Sequence, residues 1–243
     1  MAEIYQALKH SLEQGQLVAL ATVIAGPGLG DKLLIWPDGR AQGDLGSVTL
    51  NQLVVDYTVA LLATRRDSEQ VSFEVEGESI QVFVDVHPPP PRLVIVGAVH
   101  IAIPLVTFGK ALGFHTVVVD ARSAFATQER FGHVDELIVT WPSRALEGLN
   151  LDEGTYVVVL SHDEKLDNPA LRVALESPAP YVGALGSRKT HAKRVKALKE
   201  MGVSDAQLAR IHAPIGLNLG ARSPEEVALA IMAEIVAVRH GVE

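Results

Sequence analysis

The chain has 243 residues, 48% of them hydrophobic and 21% charged, which suits a globular protein of one large or two modest domains. A formal net charge of −8 without any basic run argues against nucleic acid as a partner, and the absence of cysteine excludes disulfides, thiolate metal ligands and a cysteine nucleophile. No apolar run is long enough to span a membrane and no basic stretch precedes an apolar core after Met1-Ala2-Glu3-Ile4, so a cytoplasmic protein is expected.

Ile4, Leu8 and Leu12 recur at a helical period within residues 2–14, and Gln16 to Ile24 follows as a buried strand. Gly26 to Gly30 makes a loop, Lys32 to Trp36 a strand, and Pro37-Asp38-Gly39 the turn of a hairpin. Leu50 to Thr64 predicts a helix. Val71 to Val75 and Ile80 to Val86 predict strands joined by a turn at Glu76-Gly77-Glu78. These elements make a small α/β domain over residues 1–86. His87 and four consecutive prolines to Pro91 read as a stiff linker.

The remainder, 92–243, reads as a Rossmann-like domain with a mainly parallel sheet of five or more strands. Its first strand ends at Gly97, its first helix starts near Ile101 with Pro104 in the first turn, and the second strand runs from His115 to Asp120. Further strands are expected at Glu136 to Thr140, Thr155 to Leu160 and Pro180 to Leu185. Helices are expected at Pro169 to Leu175, Lys189 to Met201 and Pro224 to Val238.

The first turn carries Gly97-x-Val99-x-x-Ala102. Ala102 is an accepted variant of the third glycine, but Val99 puts two methyl groups where a pyrophosphate would approach the backbone. Asp120 stands where an acid would grip an adenine ribose, about 20 residues after the turn. Two readings therefore remain open: an NAD(P)-dependent oxidoreductase or nucleotide-binding regulatory protein, and a βαβ packing unit that holds no dinucleotide. Val99 predicts weak or absent NAD(P) binding, with a gain in Val99→Gly.

Ser161-His162-Asp163 lies at the carboxyl end of a strand, where open α/β sheets bind ligands, and is either a ligand-facing group or an Asp163 helix cap beside a surface histidine. Gly186-Ser187-Arg188 combines a permissive glycine, a helix N-terminus and a cation, which suits an anion such as phosphate. Arg210 to Arg222 mixes turn formers with Ile211, Ile215, Leu217 and Leu219, and is expected to be an ordered loop over the strand ends. His212 within it is either a ligand contact or a satisfied core histidine. No catalytic residue is assigned, and no His or carboxylate pair shows metal spacing.

With these motifs in hand, the chain resembles the xanthine dehydrogenase accessory factor family, XdhC/CoxI. The likeness is carried by Gly97-Ala98-x-His100, Asp120-x-Arg122, His162-Asp163 with Asp167, Tyr181-Val182-Gly183-x-x-Gly186-Ser187-Arg188, and the string from Arg210-Ile211-His212-Ala213-Pro214-Ile215-Gly216 to Gly220-Ala221-Arg222-x-Pro224-Glu225-Glu226. The resemblance implies a cofactor chaperone that binds molybdenum cofactor, a molybdopterin compound, and delivers it to a client molybdenum hydroxylase of the xanthine or carbon monoxide dehydrogenase type. It implies binding roles for Gly97, His100, Asp120, Arg122, His162, Asp163, Gly186, Ser187, Arg188, His212, Pro214 and Gly216. Where the family carries Gly-Ser-Val-x-Gly-Gly-Cys-x-Glu, this chain has Gly43 to Asn51, with Thr49 in place of the cysteine. A role in which that cysteine handles sulfur or metal does not transfer to Thr49. A paralogue supplying the cysteine, or a homodimer through the apolar run Val227 to Val236, are the further partner expectations.

Overall fold

A computed structural model describes residues 2–64 and 67–242. Two compact units divide between Pro89 and Pro90. The first contains α1 (Ala2–Glu13), β1 (Val18–Ala25), β2 (Lys32–Ile35), β3 (Ala41–Asp44), α2 (Val48–Thr64), β4 (Glu69–Val75) and β5 (Glu78–His87). The strands form an antiparallel sheet in the order β3-β2-β1-β5-β4. Leu50, Val54, Leu61 and Leu62 of α2 share one buried face and close a core with Val82 and Val84 of β5.

His87 belongs to β5, where it pairs with Val18. In the second unit the carbonyl of Pro91 accepts from the His115 N–H at 2.8 Å. The connecting stretch is therefore Pro88 to Pro90, shorter than the proline pattern suggests. The pattern gives no sign of β3, because Ala41 to Asp44 is a mostly exposed edge strand without apolar alternation. A Cβ on Gly43 would collide with the Lys32 carbonyl oxygen, so this glycine serves strand pairing.

The second unit runs β6 (Arg92–Val96), α3 (Ala102–Ala111), β7 (His115–Val119), α4 (Gln128–Phe131), β8 (Glu136–Ile138), α5 (Pro142–Gly148), β9 (Thr155–Val159), α6 (Glu164–Glu176), β10 (Tyr181–Ala184), α7 (Arg188–Glu200), α8 (Asp205–Leu208), β11 (Ile211–His212) and α9 (Pro224–Arg239). Its sheet is parallel, ordered β11-β10-β9-β6-β7-β8. The order reverses between β6 and β9, which makes the carboxyl ends of these strands the place where such a sheet receives ligands. Alternate residues of each strand face opposite layers. Val94, Val117, Val157 and Val182 pack on α5, α6 and α7, while Leu93, Val118, Val158 and Tyr181 pack on α3 and α9.

Two expectations change here. Ile211 and His212 add a sixth parallel strand inside the segment read as loop, pairing with Val182 and Gly183. The helix expected from Pro169 starts at Glu164 instead. Asp163 caps it through the Lys165 N–H, and Pro169 is carried inside the helix at the loss of one backbone bond.

Asp135 fastens β7 to the end of α3. Its carboxylate accepts from Lys110 Nζ at 2.7 Å, Thr116 N–H at 2.9 Å and Thr116 Oγ1 at 2.8 Å. Burial alone would raise its pKa, but these donors win and hold it at about 2 against an ordinary 3.8. A depressed native pKa stabilises the fold above the unfolded value, and that stabilisation disappears as pH falls from about 4 to about 2. Urea midpoints measured across that window should drop more steeply for the wild type than for Asp135→Asn. Parallel profiles would contradict the assignment.

Candidate functional site

The carboxyl edge of the parallel sheet gathers the predicted residues into two zones of different character. At the β6 turn Gly97 adopts φ +109°, and a Cβ there would lie 2.8 Å from the Ser161 backbone nitrogen. The glycine therefore lets β6 and β9 close on each other. Val99 is partly buried and packs against the α3 core, and His100 is exposed.

Asp120 is fully buried and bonded within its own turn. Its Oδ2 accepts from the Ala98 N–H at 2.8 Å and from Arg122 Nη2 at 2.7 Å. Its Oδ1 accepts from the Arg122 N–H and Nε, each at 2.9 Å. Burial opposes ionisation, but Arg122 and the Ala98 N–H outweigh it and keep the carboxylate charged. Arg122 is held in turn over the Phe125 ring at 4.5 Å, and Arg130 Nη1 donates to the Ala98 carbonyl at 3.0 Å. The acid expected for a ribose is thus committed to its own turn. Removing the Val99 methyls leaves those bonds in place, so the gain in NAD(P) binding expected of Val99→Gly loses its basis.

At the end of β9, His162 takes φ +60° and is exposed, a backbone conformation that turns the chain into α6. Asp163 is engaged as the α6 cap. Beneath them Ser161 Oγ donates to Asp167 Oδ1 at 2.5 Å, and Arg194 Nη2 lies 3.8 Å from Asp167 Oδ2. Burial pushes the Asp167 pKa up, against the Ser161 and Arg194 contacts.

The β10 edge is different. Gly186 adopts φ +147° and Ser187 caps α7 through the Thr190 N–H. Arg188 is exposed, and among the described residues it has no ion pair. Together with Leu185 it lines one wall of a cleft of about 440 Å³. The other walls come from the segment Pro214 to Ala221 and from Val227 and Ala230 of α9. A cleft of mostly apolar side chains with one exposed cation and one amide, Asn218, suits a flat organic group carrying an anionic tail.

The loop holds its shape through α9. Glu234 Oε2 accepts from Tyr181 Oη at 2.5 Å and from the Gly216 N–H at 2.8 Å, while Oε1 lies 3.6 Å from His212 Nδ1. His212 also stacks on the Tyr181 ring, centroids 4.5 Å apart, which places it within this packed network. Burial works against the Glu234 charge, but His212, Tyr181 and Gly216 hold its pKa low. Burial and the Glu234 charge raise the Tyr181 pKa. A Cβ on Gly183 would strike Ile215 at 2.5 Å, and one on Gly216 would lie 3.0 Å from the α9 backbone. Both glycines admit the loop. Sequence reasoning missed Glu234; its signal was a lone carboxylate within the apolar run Val227 to Val236. The same run packs Ala228, Ile231, Met232 and Ile235 into its own domain, while Leu229 is exposed.

Comparison with known proteins places the chain among relatives. A model described as the XdhC Rossmann domain matches residues 93–235, and one described as the XdhC and CoxI family matches residues 11–74. The chain is 30% identical over 162 residues, 67% of its length and 47% of the relative's, to a probable xanthine dehydrogenase subunit of Bacillus subtilis (strain 168). It is 31% identical over 135 residues, 56% of its length and 40% of the relative's, to the molybdenum cofactor insertion chaperone PaoD of Escherichia coli (strain K12). It is 28% identical over 221 residues, 86% of its length and 40% of the relative's, to the uncharacterized protein YqeB of the same strain. The chain therefore spans less than half the length of these curated relatives. A crystal structure of a xanthine dehydrogenase from Bacillus halodurans shares the fold, with a TM-score of 0.57 and 20% identity, over 98% of this chain and 96% of that one.

Glu234→Ala should leave a buried tyrosine hydroxyl and the Gly216 N–H unpaired, at a cost of about 2–4 kcal/mol. Urea denaturation measures this directly. A loss below about 1 kcal/mol would show that the loop is held by packing alone.

Proposed function

This chain belongs to the XdhC family, and from that premise we propose that it is a molybdenum cofactor chaperone serving a molybdenum hydroxylase. The observation that carries the reading is the contrast between two ends of one sheet edge. At the Gly97 turn Asp120 takes the Ala98 N–H and Arg130 the Ala98 carbonyl, while the β10 edge opens into a cleft of mostly apolar side chains beside Arg188, which has no ion pair among the described residues. A dinucleotide needs the first place for its pyrophosphate. A phosphate-bearing pterin needs the second: Arg188 and the α7 N-terminus for its phosphate, and the Pro214 to Ala221 loop for its ring.

In this account the cofactor is cargo rather than a resident group. The chain's own residues shield it and fix its anionic end, and no bond is made or broken. His100 and His162 stand exposed at the ends of β6 and β9, outside the lining of the cleft. Among the described residues no helix is long and apolar enough to cross a membrane. Thr49 is exposed at the start of α2, and its hydroxyl is no substitute for a thiolate toward molybdenum or sulfur. A step that needs such a thiolate falls to a partner, either a paralogue or the client itself.

Equilibrium dialysis against molybdenum cofactor should show retention at micromolar concentration by the wild type. Arg188→Ala should weaken it by about 1.5–3 kcal/mol, the range for a charge-assisted hydrogen bond, with thermal stability nearly unchanged. No retention by the wild type, or equal retention by the variant, would reject the reading. Isothermal titration with NAD(H) and NADP(H) should give no binding, and a clear isotherm would favour the nucleotide alternative.

A further inference from the structure

Beneath the Gly186 turn lies a cation that neither the motif pattern nor the cleft lining reveals. Arg194 stands two turns into α7 and its side chain runs back toward the helix N-terminus, as helical side chains do. It is only 6% exposed. One nitrogen, Nη2, donates to the Leu185 carbonyl at 2.9 Å and approaches Asp167 at 3.8 Å. The other, Nη1, is buried and has no hydrogen-bond partner among the described residues. It lies 3.7 Å from the point that a Gly186 Cβ would occupy. A guanidinium donor left unpaired in the interior is costly and calls for an acceptor.

The helix end above it is likewise short of acceptors. Ser187 Oγ takes the Thr190 N–H, which leaves the N–H groups of Arg188 and Lys189 without intrahelical partners. Helix α7 has 13 residues, enough for its aligned dipoles to favour an anion at this end. We propose that an oxyanion of the phosphate class binds at the Gly186-Ser187-Arg188 turn, between the free N–H groups of α7 and the buried Nη1 of Arg194. Arg188 then acts as the outer cation that guides the anion in, and Arg194 as the fixed donor that sets its position. Asp167 of α6, held by Ser161 at the end of β9, supports Arg194 and couples the anion site to the centre of the sheet. As an anchor for the cargo's phosphate this rests on the molybdenum cofactor reading; as an anion site it does not.

The test uses the full chain, with inorganic phosphate as probe against chloride of matched ionic strength, read by isothermal titration and thermal shift. Arg194→Lys keeps a positive charge opposite Asp167 but offers a single nitrogen in place of the fork. Phosphate should bind the wild type and bind Arg194→Lys at least about tenfold more weakly. Equal phosphate affinity in the two proteins, or no phosphate response in the wild type, overturns the proposal. If Arg194→Lys fails to fold, guanidinium-detected NMR of the wild type decides, because saturating phosphate must shift the Arg194 Nη resonances and unchanged resonances overturn the site. A competition arm separates the sources. Phosphate that displaces molybdenum cofactor assigns the site to the cargo's phosphate, and phosphate that binds without displacing it assigns the site to a free anion. Phosphate binding without cofactor retention leaves the anion site standing and removes the chaperone reading; retention without a phosphate response does the reverse.

Discussion

The Glu234 carboxylate is the contact on which the shape of the cleft depends. It reaches from α9 to the Tyr181 hydroxyl, the Gly216 N–H and His212 at once, and so ties a helix, a central strand, an edge strand and a loop to one anion. Each partner is itself constrained. Tyr181 is fully buried, and Gly216 cannot carry a side chain against the α9 backbone. A loop rich in turn formers would otherwise have few backbone bonds to fix it. Held this way, it forms a fixed wall of the cleft.

The same sheet edge keeps a nucleotide-type topology while its glycine turns are engaged differently. An acid after β7 is kept, but Arg122 folds back onto it and the Ala98 N–H points to it. The acid and the Ala98 N–H are thus satisfied by each other. Two strands along from β6, at β10, Arg188 has no ion pair among the described residues, and Ser187 caps α7 only through the Thr190 N–H. Binding capacity along an α/β edge follows from where donors are left over, not from the fold itself.

Much of this was legible in the residues. The apolar runs ending at Gly97 and Leu160, and the Ser223-Pro224-Glu225-Glu226 start of α9, act through local rules of strands and caps, and these place the main strands and their carboxyl edge. The Arg210 to Arg222 string marked the loop. What escaped was set by distant contacts. An aspartate at position 120 reads the same whether it faces a ribose or its own Ala98 N–H. Glu234 reads as a solvent-facing residue of a helix until Tyr181 and Gly216 are seen beside it. Ala41 to Asp44 pairs as an edge strand with no apolar signal, and Pro169 looks like a helix start because the capping by Asp163 outweighs its cost only in the folded chain.

The central claim is that the ligand occupies the β10 edge and leaves the β6 turn closed. A crystal structure of the chain with molybdenum cofactor bound tests it most directly. The account predicts the phosphate against the Gly186 to Lys189 turn and the pterin between Arg188 and the Pro214 to Ala221 loop, with the Asp120–Ala98 hydrogen bond intact. Density for the phosphate at the Gly97 to Ala102 turn, with Asp120 released from Ala98, would contradict it.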